Sequence, residues 1–274
     1  MTNPFRQLLR SAGAHPPVGT FLLAASPLVA EAVGCAGFDW AVVDMEHAPL
    51  DVGGLVGMLQ AVGNTRMVAV VRVPWNEPVV VKRVLDAGAT TVMFPFVQSA
   101  DEARRAVAAT RYPPEGVRGM VGTSRATRYG TVADAVAQAR QTLGVIVQLE
   151  TPAALDALEA IAAVDGVDAL FIGPADLAAA MGHAGHAGHP AVVERMARAA
   201  AQCKALGKPI GTIGATPAAV APLRAAGFDF LAVASDLTLL MRGAQAAAGA
   251  LRTQEVGRIV HSVDEGTHTD APAR

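Results

Sequence analysis

The chain has 274 residues, 52% of them hydrophobic and 17% charged, with a formal net charge of −2. That length and apolar content suit one α/β domain with a sizeable core. The absence of a basic run, or of a basic stripe interleaved with aromatics, excludes the electrostatic footprint of a nucleic-acid binder and leaves a small molecule as the expected partner.

No run of about 18 apolar residues is present, so no membrane-spanning helix is expected. The start of the chain is polar and broken by Pro4, Pro16 and Pro17, unlike a signal peptide, and a cytoplasmic protein is expected. Cys35 and Cys203 belong to no CxxC pair, so neither a disulfide framework nor a zinc ribbon has support.

Eight short β-branched or apolar runs recur, at 18–23, 40–44, 67–72, 91–95, 145–150, 169–172, 209–213 and 230–233. Between them lie Ala-rich segments of helical period at 27–36, 52–62, 78–87, 100–110, 152–163, 191–206, 216–226 and 236–251. Eight βα units in succession predict a closed (β/α)8 TIM barrel as a single α/β domain over residues 1–251, followed by a polar, frayed tail over 252–274. Two connections, 111–130 and 181–190, exceed tight turns, and long loops in compact domains are often functional.

Catalytic groups of such barrels stand at the C-terminal ends of the strands. Here the second strand ends in Asp44, Glu46 and His47, the third in Arg72, the fifth in Gln148 and Glu150, and the sixth runs into Gly173, Pro174, Ala175 and Asp176. Gln148 and Glu150, two apart on a strand, point to one face, and with Asp176 on the next unit two carboxylates converge. Two carboxylates plus water suit Mg2+ or Mn2+ better than zinc. Each acid taken singly reads as well as a helix cap or a surface ion pair.

His47 lies in a loop beside two acids, placed to move a proton near neutral pH or simply to make a loop hydrogen bond. Arg72 closes an apolar strand and should face an anion, either substrate or a structural carboxylate. The three lysines, Lys82, Lys204 and Lys208, fall on helices or just before the seventh strand, so a Schiff-base mechanism has no amine at the mouth.

The blocks Asp44-Met45-Glu46-His47-Ala48-Pro49, Val71-Arg72-Val73-Pro74, Leu85-Asp86-Ala87-Gly88-Ala89, Arg111-Tyr112-Pro113-Pro114, Gly116-Val117-Arg118-Gly119, Gln148-Leu149-Glu150 and Phe171-Ile172-Gly173-Pro174-Ala175-Asp176-Leu177 occur in order between about residues 19 and 240. Together they resemble the HpcH/HpaI aldolase family. The resemblance implies a class II pyruvate aldolase in which Glu150 and Asp176 hold a divalent ion (Mg2+, Mn2+ or Co2+), with no organic cofactor. It also implies that Arg72 stabilises charge on the substrate oxygen and that His47 accepts a proton. Gln148, Asp44, Gly173, Pro174 and the backbone at Ala175 would contact substrate.

Asp86 would raise the basicity of His47. Its place at a helix end, away from the barrel mouth, is awkward for that role within one chain, and a neighbouring subunit could supply it instead; a homohexamer is implied. The expected substrate is 4-hydroxy-2-oxoheptanedioate, cleaved to pyruvate and succinic semialdehyde. A 2-dehydro-3-deoxyglucarate-type sugar acid is the close alternative, and an acyl-CoA thioester a remoter one. The aldehyde-facing stretch Gly211-Thr212-Ile213-Gly214-Ala215 departs from the family pattern and leaves the aldehyde open. The loop carrying Arg125, Arg128 and Tyr129 reads as a cover over the site or as a solvated loop; His183, His186 and His189 read as a loop rather than a metal cluster.

Overall fold

Each of the eight strands forms: β1 (Val18–Leu22), β2 (Trp40–Asp44), β3 (Val68–Arg72), β4 (Thr91–Phe94), β5 (Gly144–Leu149), β6 (Ala169–Ile172), β7 (Ile210–Gly214) and β8 (Phe230–Ser235). In the computed structural model, which describes residues 2–13 and 15–264 (253–264 as backbone), they pair in parallel, in chain order, and close β8 onto β1. The chain divides into two compact units, one ending at Asp236 and one beginning at Leu237.

The helices are α1 (Pro4–Ser11), α2 (Pro27–Cys35), α3 (Val52–Gly63), α4 (Pro78–Asp86), α5 (Ala100–Thr110), α6 (Ala135–Thr142), α7 (Pro152–Asp156), α8 (Leu158–Ala162), α9 (Pro174–Ala180), α10 (Pro190–Leu206), α11 (Pro217–Ala225) and α12 (Asp236–Asp264). Prolines open seven of the first eleven at the first turn, where the missing N–H costs nothing. The expected helix over 152–163 is two, broken at Ala157. The last helix continues past Arg252 to Asp264, so the frayed tail expected from 252 is helical that far; its remainder, 265–274, lies outside the described residues.

The strands sort their side chains by parity into two cores. Val43, Val71, Val92, Val147, Leu149, Leu170 and Ile172 face the surrounding helices. Trp40, Val42, Val70, Met93, Ile146, Phe171 and Phe230 fill the barrel, and the inward parity then continues toward the C-terminal ends through Asp44, Arg72, Gln148 and Glu150.

The opposite end is closed by α1, a helix the prolines of the sequence concealed. Asn3 caps α1 and is fully buried, its amide donating to the Thr90 and Thr142 carbonyls at 2.8 and 3.0 Å. Phe5 enters the barrel floor edge-on to Phe230 and Trp40, with ring centroids 5.2 and 6.1 Å away. Gly19 and Gly211 make room for these rings, because a Cβ at either would strike Trp40 or Phe230. From this floor the aromatic stack rises through Phe171 to Phe21, whose ring lies 5.1 Å beneath the Arg72 guanidinium.

Candidate active site

Strand register places Asp44 of β2 beside Arg72 of β3. Arg72 Nε donates to Asp44 Oδ1 at 2.9 Å and Nη2 to Oδ2 at 2.7 Å, while Nη1 lies 2.9 Å from Glu46 Oε2. Burial works against the guanidinium's charge, but the hydrogen bond and charge of Asp44, then Glu46 and Glu150, outweigh it and raise its pKa. Asp44 is fully buried and also accepts the Glu46 N–H at 3.0 Å. Its carboxylate is thus taken up by Arg72 and the Glu46 backbone N–H. Burial also raises the Glu46 carboxyl above its ordinary value, against the pull of Arg72 and His47.

At the top of β5, Gln148 Nε2 donates to Glu150 Oε1 at 2.7 Å, and the Phe96 N–H donates to Glu150 Oε2 at 2.9 Å. Phe96 makes that bond from a left-handed conformation, φ 54°, which β-carbon sterics disfavour. Gly173 lies against this pair: a Cβ there would collide with Glu150 Oε1 and sit 2.9 Å from its Cγ and 3.1 Å from Gln148 Nε2. Burial pushes the Glu150 pKa up to about 7; the Phe96 N–H opposes the rise, and the nearby carboxylates of Glu46 and Asp176 add to it. Asp176 is exposed in the first turn of α9, with Pro174 and Ala175 just before it at the lip.

His47 stands on the lip with its side chain 62% exposed, its Nε2 3.9 Å from Glu46 Oε2. Asp86 is not brought to it within the chain. It ends α4 near the opposite end of the barrel and takes the Arg118 Nη2–H at 2.8 Å, with Arg118 stacked over Tyr112 at 4.6 Å. The Arg125 loop packs against the same end of α4, donating to the Ala87 carbonyl at 3.2 Å, so within one chain it does not cover the mouth. None of the three lysines reaches the mouth either: Lys82 and Lys204 lie within α4 and α10, and Lys208 Nζ donates to the Val167 carbonyl below β6.

The donor set fits a hard divalent cation. Two carboxylates, Glu150 and Asp176, come close enough to raise one pKa, and the buried Gln148 Oε1 has no hydrogen-bond partner. Among the described residues no group of three or more His, Cys, Asp or Glu is placed to hold a metal, so substrate and water would complete the coordination, as is usual for Mg2+. His183 and His189 stack nearly parallel, centroids 3.6 Å apart, and do not converge on a point.

The family model for HpcH/HpaI aldolase/citrate lyase matches residues 18–243. The chain belongs to that family. It is 47% identical over 244 residues to the 2-dehydro-3,6-dideoxy-6-sulfogluconate aldolase of Pseudomonas putida, covering 89% of this chain and 96% of the relative. It is 45% identical over 228 residues to the 5-keto-4-deoxy-D-glucarate aldolase of Salmonella arizonae, covering 83% and 89%. A crystal structure of an HpcH/HpaI aldolase/citrate lyase family protein from Burkholderia cenocepacia superposes with a TM-score of 0.88 at 42% identity, covering 92% of this chain and all of that one.

As a member of this family the protein is an aldolase, a carbon–carbon lyase, acting on a small molecule. No described helix is long and apolar enough to cross a membrane.

Sequence reading passed over two contributors to this HpcH/HpaI site. In the sequence Glu46 reads as one more polar residue at a strand end, whereas the structure makes it the second carboxylate on Arg72. Phe96 carries no signal in its side chain, because what it supplies is a backbone N–H in a rare conformation. Glu46 was discoverable: it follows Asp44 by two, just past the end of β2, on the same inward parity.

Proposed function

We propose that this protein cleaves a 2-oxo-3-deoxy-4-hydroxy acid of the deoxy-sugar-acid type between C3 and C4, giving pyruvate and an aldehyde that bears its own anionic group. The observation that carries the chemistry is the buried Gln148–Glu150 pair, within electrostatic reach of Asp176 and Arg72, in a mouth without a lysine. The substrate class is supported by the relatives at 45–47% identity, whose names describe deoxy-sugar acids with a second acid group, a sulfonate or a carboxylate. 4-Hydroxy-2-oxoheptanedioate, the substrate expected first, has the same reacting atoms but lacks the extra hydroxyl of the sugar acids and becomes the second reading.

Glu150 and Asp176 would hold the ion, Mg2+, Mn2+ or Co2+, which when bound supplies Lewis-acid withdrawal of electrons from the 2-oxo group. Arg72, fixed by Asp44, faces the oxygen that gains charge as the C3–C4 bond breaks. Gln148 and the backbone at Gly173, Pro174 and Ala175 orient the oxo acid. His47 takes the proton of the C4 hydroxyl; the bonding pair passes to pyruvate enolate, which is then protonated at C3. Asp86 would tune His47 only across a contact between copies of the chain, with a hexamer as the assembly that provides it.

The test is pyruvate release from a 2-dehydro-3-deoxy-sugar acid with a distal acid group and from 4-hydroxy-2-oxoheptanedioate, under identical metal supply. The sugar acid should give a kcat/KM about 10-fold higher or more, the discrimination a few polar contacts provide. The reverse order would move the assignment to the heptanedioate.

A further inference from the structure

At the end of the barrel away from the mouth lies a cavity of about 900 Å3, enough for a small metabolite. Its wall brings together α1, the end of α5, α6, the loop between α8 and β6, and Lys208 before β7, and it sets five cations against the two acids Asp165 and Asp168.

The cations are not equivalent. Arg6 is consumed by the fold: Nε and Nη2 grip Asp168 at 2.6 and 3.0 Å, and its remaining donors meet the Gln141 and Leu143 carbonyls. That leaves Asp165, 77% exposed, to answer for both Arg111 and Arg140, whose Nη1 and Nη2 lie 3.3 and 3.0 Å from its Oδ2. Glu115 at the rim adds weaker contacts to the same two guanidiniums, at 3.9 and 3.4 Å.

The Arg10 side chain makes no hydrogen bond or ion pair with any described residue, and Lys208 spends one ammonium hydrogen on the Val167 carbonyl. Gly166, at φ 96°, lets the Arg111 guanidinium lie flat on the loop, since a Cβ there would strike it. One carboxylate oxygen bridging two guanidiniums, with a further arginine and a lysine facing the same space, is the arrangement a multivalent oxyanion would complete.

We propose that this cavity binds a phosphate-bearing small molecule, its phosphate seated among Arg10, Arg111, Arg140 and Lys208 and its body in the remaining volume. The ligand would add a further tie between α1 and the segments before β6 and β7, which Arg6 and Lys208 already link pairwise, and so would stabilise the barrel floor.

The test is calorimetric titration of the full-length, metal-free protein with inorganic pyrophosphate at low ionic strength, with thermal unfolding in parallel. Saturable binding of one pyrophosphate per chain is expected, with a rise in Tm of about 2 °C or more at saturation. The double variant Arg10→Ala/Arg140→Ala, both side chains solvent-exposed, should bind at least about 10-fold more weakly, whereas Glu150→Gln at the mouth should bind as the parent does. Absence of saturable binding, unchanged affinity in the double arginine variant, or loss of binding in Glu150→Gln would each overturn the proposal.

Discussion

Arg72 and Asp44 sit opposite each other on neighbouring strands and meet through two parallel hydrogen bonds, at 2.9 and 2.7 Å, with Asp44 wholly out of solvent. The fork fixes the plane of the guanidinium and leaves Nη1 to Glu46 and the mouth. A lysine carries the charge but not the fork. Arg72→Lys is expected to lower kcat about 100-fold with the fold intact, measured by pyruvate release alongside circular dichroism. Asp44→Ala leaves a buried cation short of its partner and should cost about 3–5 kcal/mol in a denaturant titration. Near-parental kcat for Arg72→Lys would remove the oriented guanidinium from the mechanism.

Glu150 makes the metal-free protein pH-sensitive. Its folded pKa, about 7, stands above the unfolded value of 4.5, so the native state holds the proton more tightly than the unfolded chain. Its contribution to stability is therefore full below about pH 4.5 and declines as pH rises to about 7. The loss is on the order of 3 kcal/mol across that window. Comparing the pH dependence of unfolding for the metal-free parent and Glu150→Gln isolates this group. The variant should show the shallower decline between pH 5 and 7, and identical slopes would mean that the carboxylate is not buried as described.

Gly173 is required by contact rather than by backbone conformation. Gly173→Ala would press a methyl onto Glu150 and Gln148. We expect a stability cost of about 1–3 kcal/mol and a fall in metal affinity of about 10-fold or more as Glu150 turns away. Metal titration by calorimetry reads this directly, and an unchanged affinity would show that Glu150 is free to shift without consequence.

The barrel floor offers a test of folding alone. Phe5 is fully buried against Trp40 and Phe230, far from the mouth. Phe5→Ala should cost about 3–5 kcal/mol while leaving the KM of the surviving folded enzyme near its parental value. A shift confined to KM would place α1 in the catalytic machinery instead.

The barrel was legible because a parallel strand covered on both faces is apolar nearly throughout, and eight such runs separated by helical periods point to a closed barrel, which the β8–β1 pairing completes. The inward residues near the C-terminal ends of β2, β3 and β5 were legible for the same reason: Asp44, Arg72 and Gln148 break an otherwise apolar parity, with Glu150 next inward just past β5. What stayed hidden depended on long-range contact. Pro4 reads locally as a breaker, yet with Asn3 as cap it starts α1, and only the aromatic floor explains why a helix belongs there. Ala157 gives no sign that 152–163 divides. Asp86 looked displaced from His47 in the sequence, and its ion pair with Arg118 shows where the chain holds it.

Glu150 and Asp176, on the proposed mechanism, hold a divalent ion on which cleavage depends. The most direct measurement is retro-aldol release of pyruvate by protein stripped with a chelator and then resupplied with Mg2+, Mn2+ or Co2+, beside Glu150→Gln and Asp176→Asn treated in the same way. Activity should vanish on stripping, return with metal in the parent, and stay absent in both variants. Full activity after stripping, or covalent trapping of pyruvate by borohydride, would contradict it.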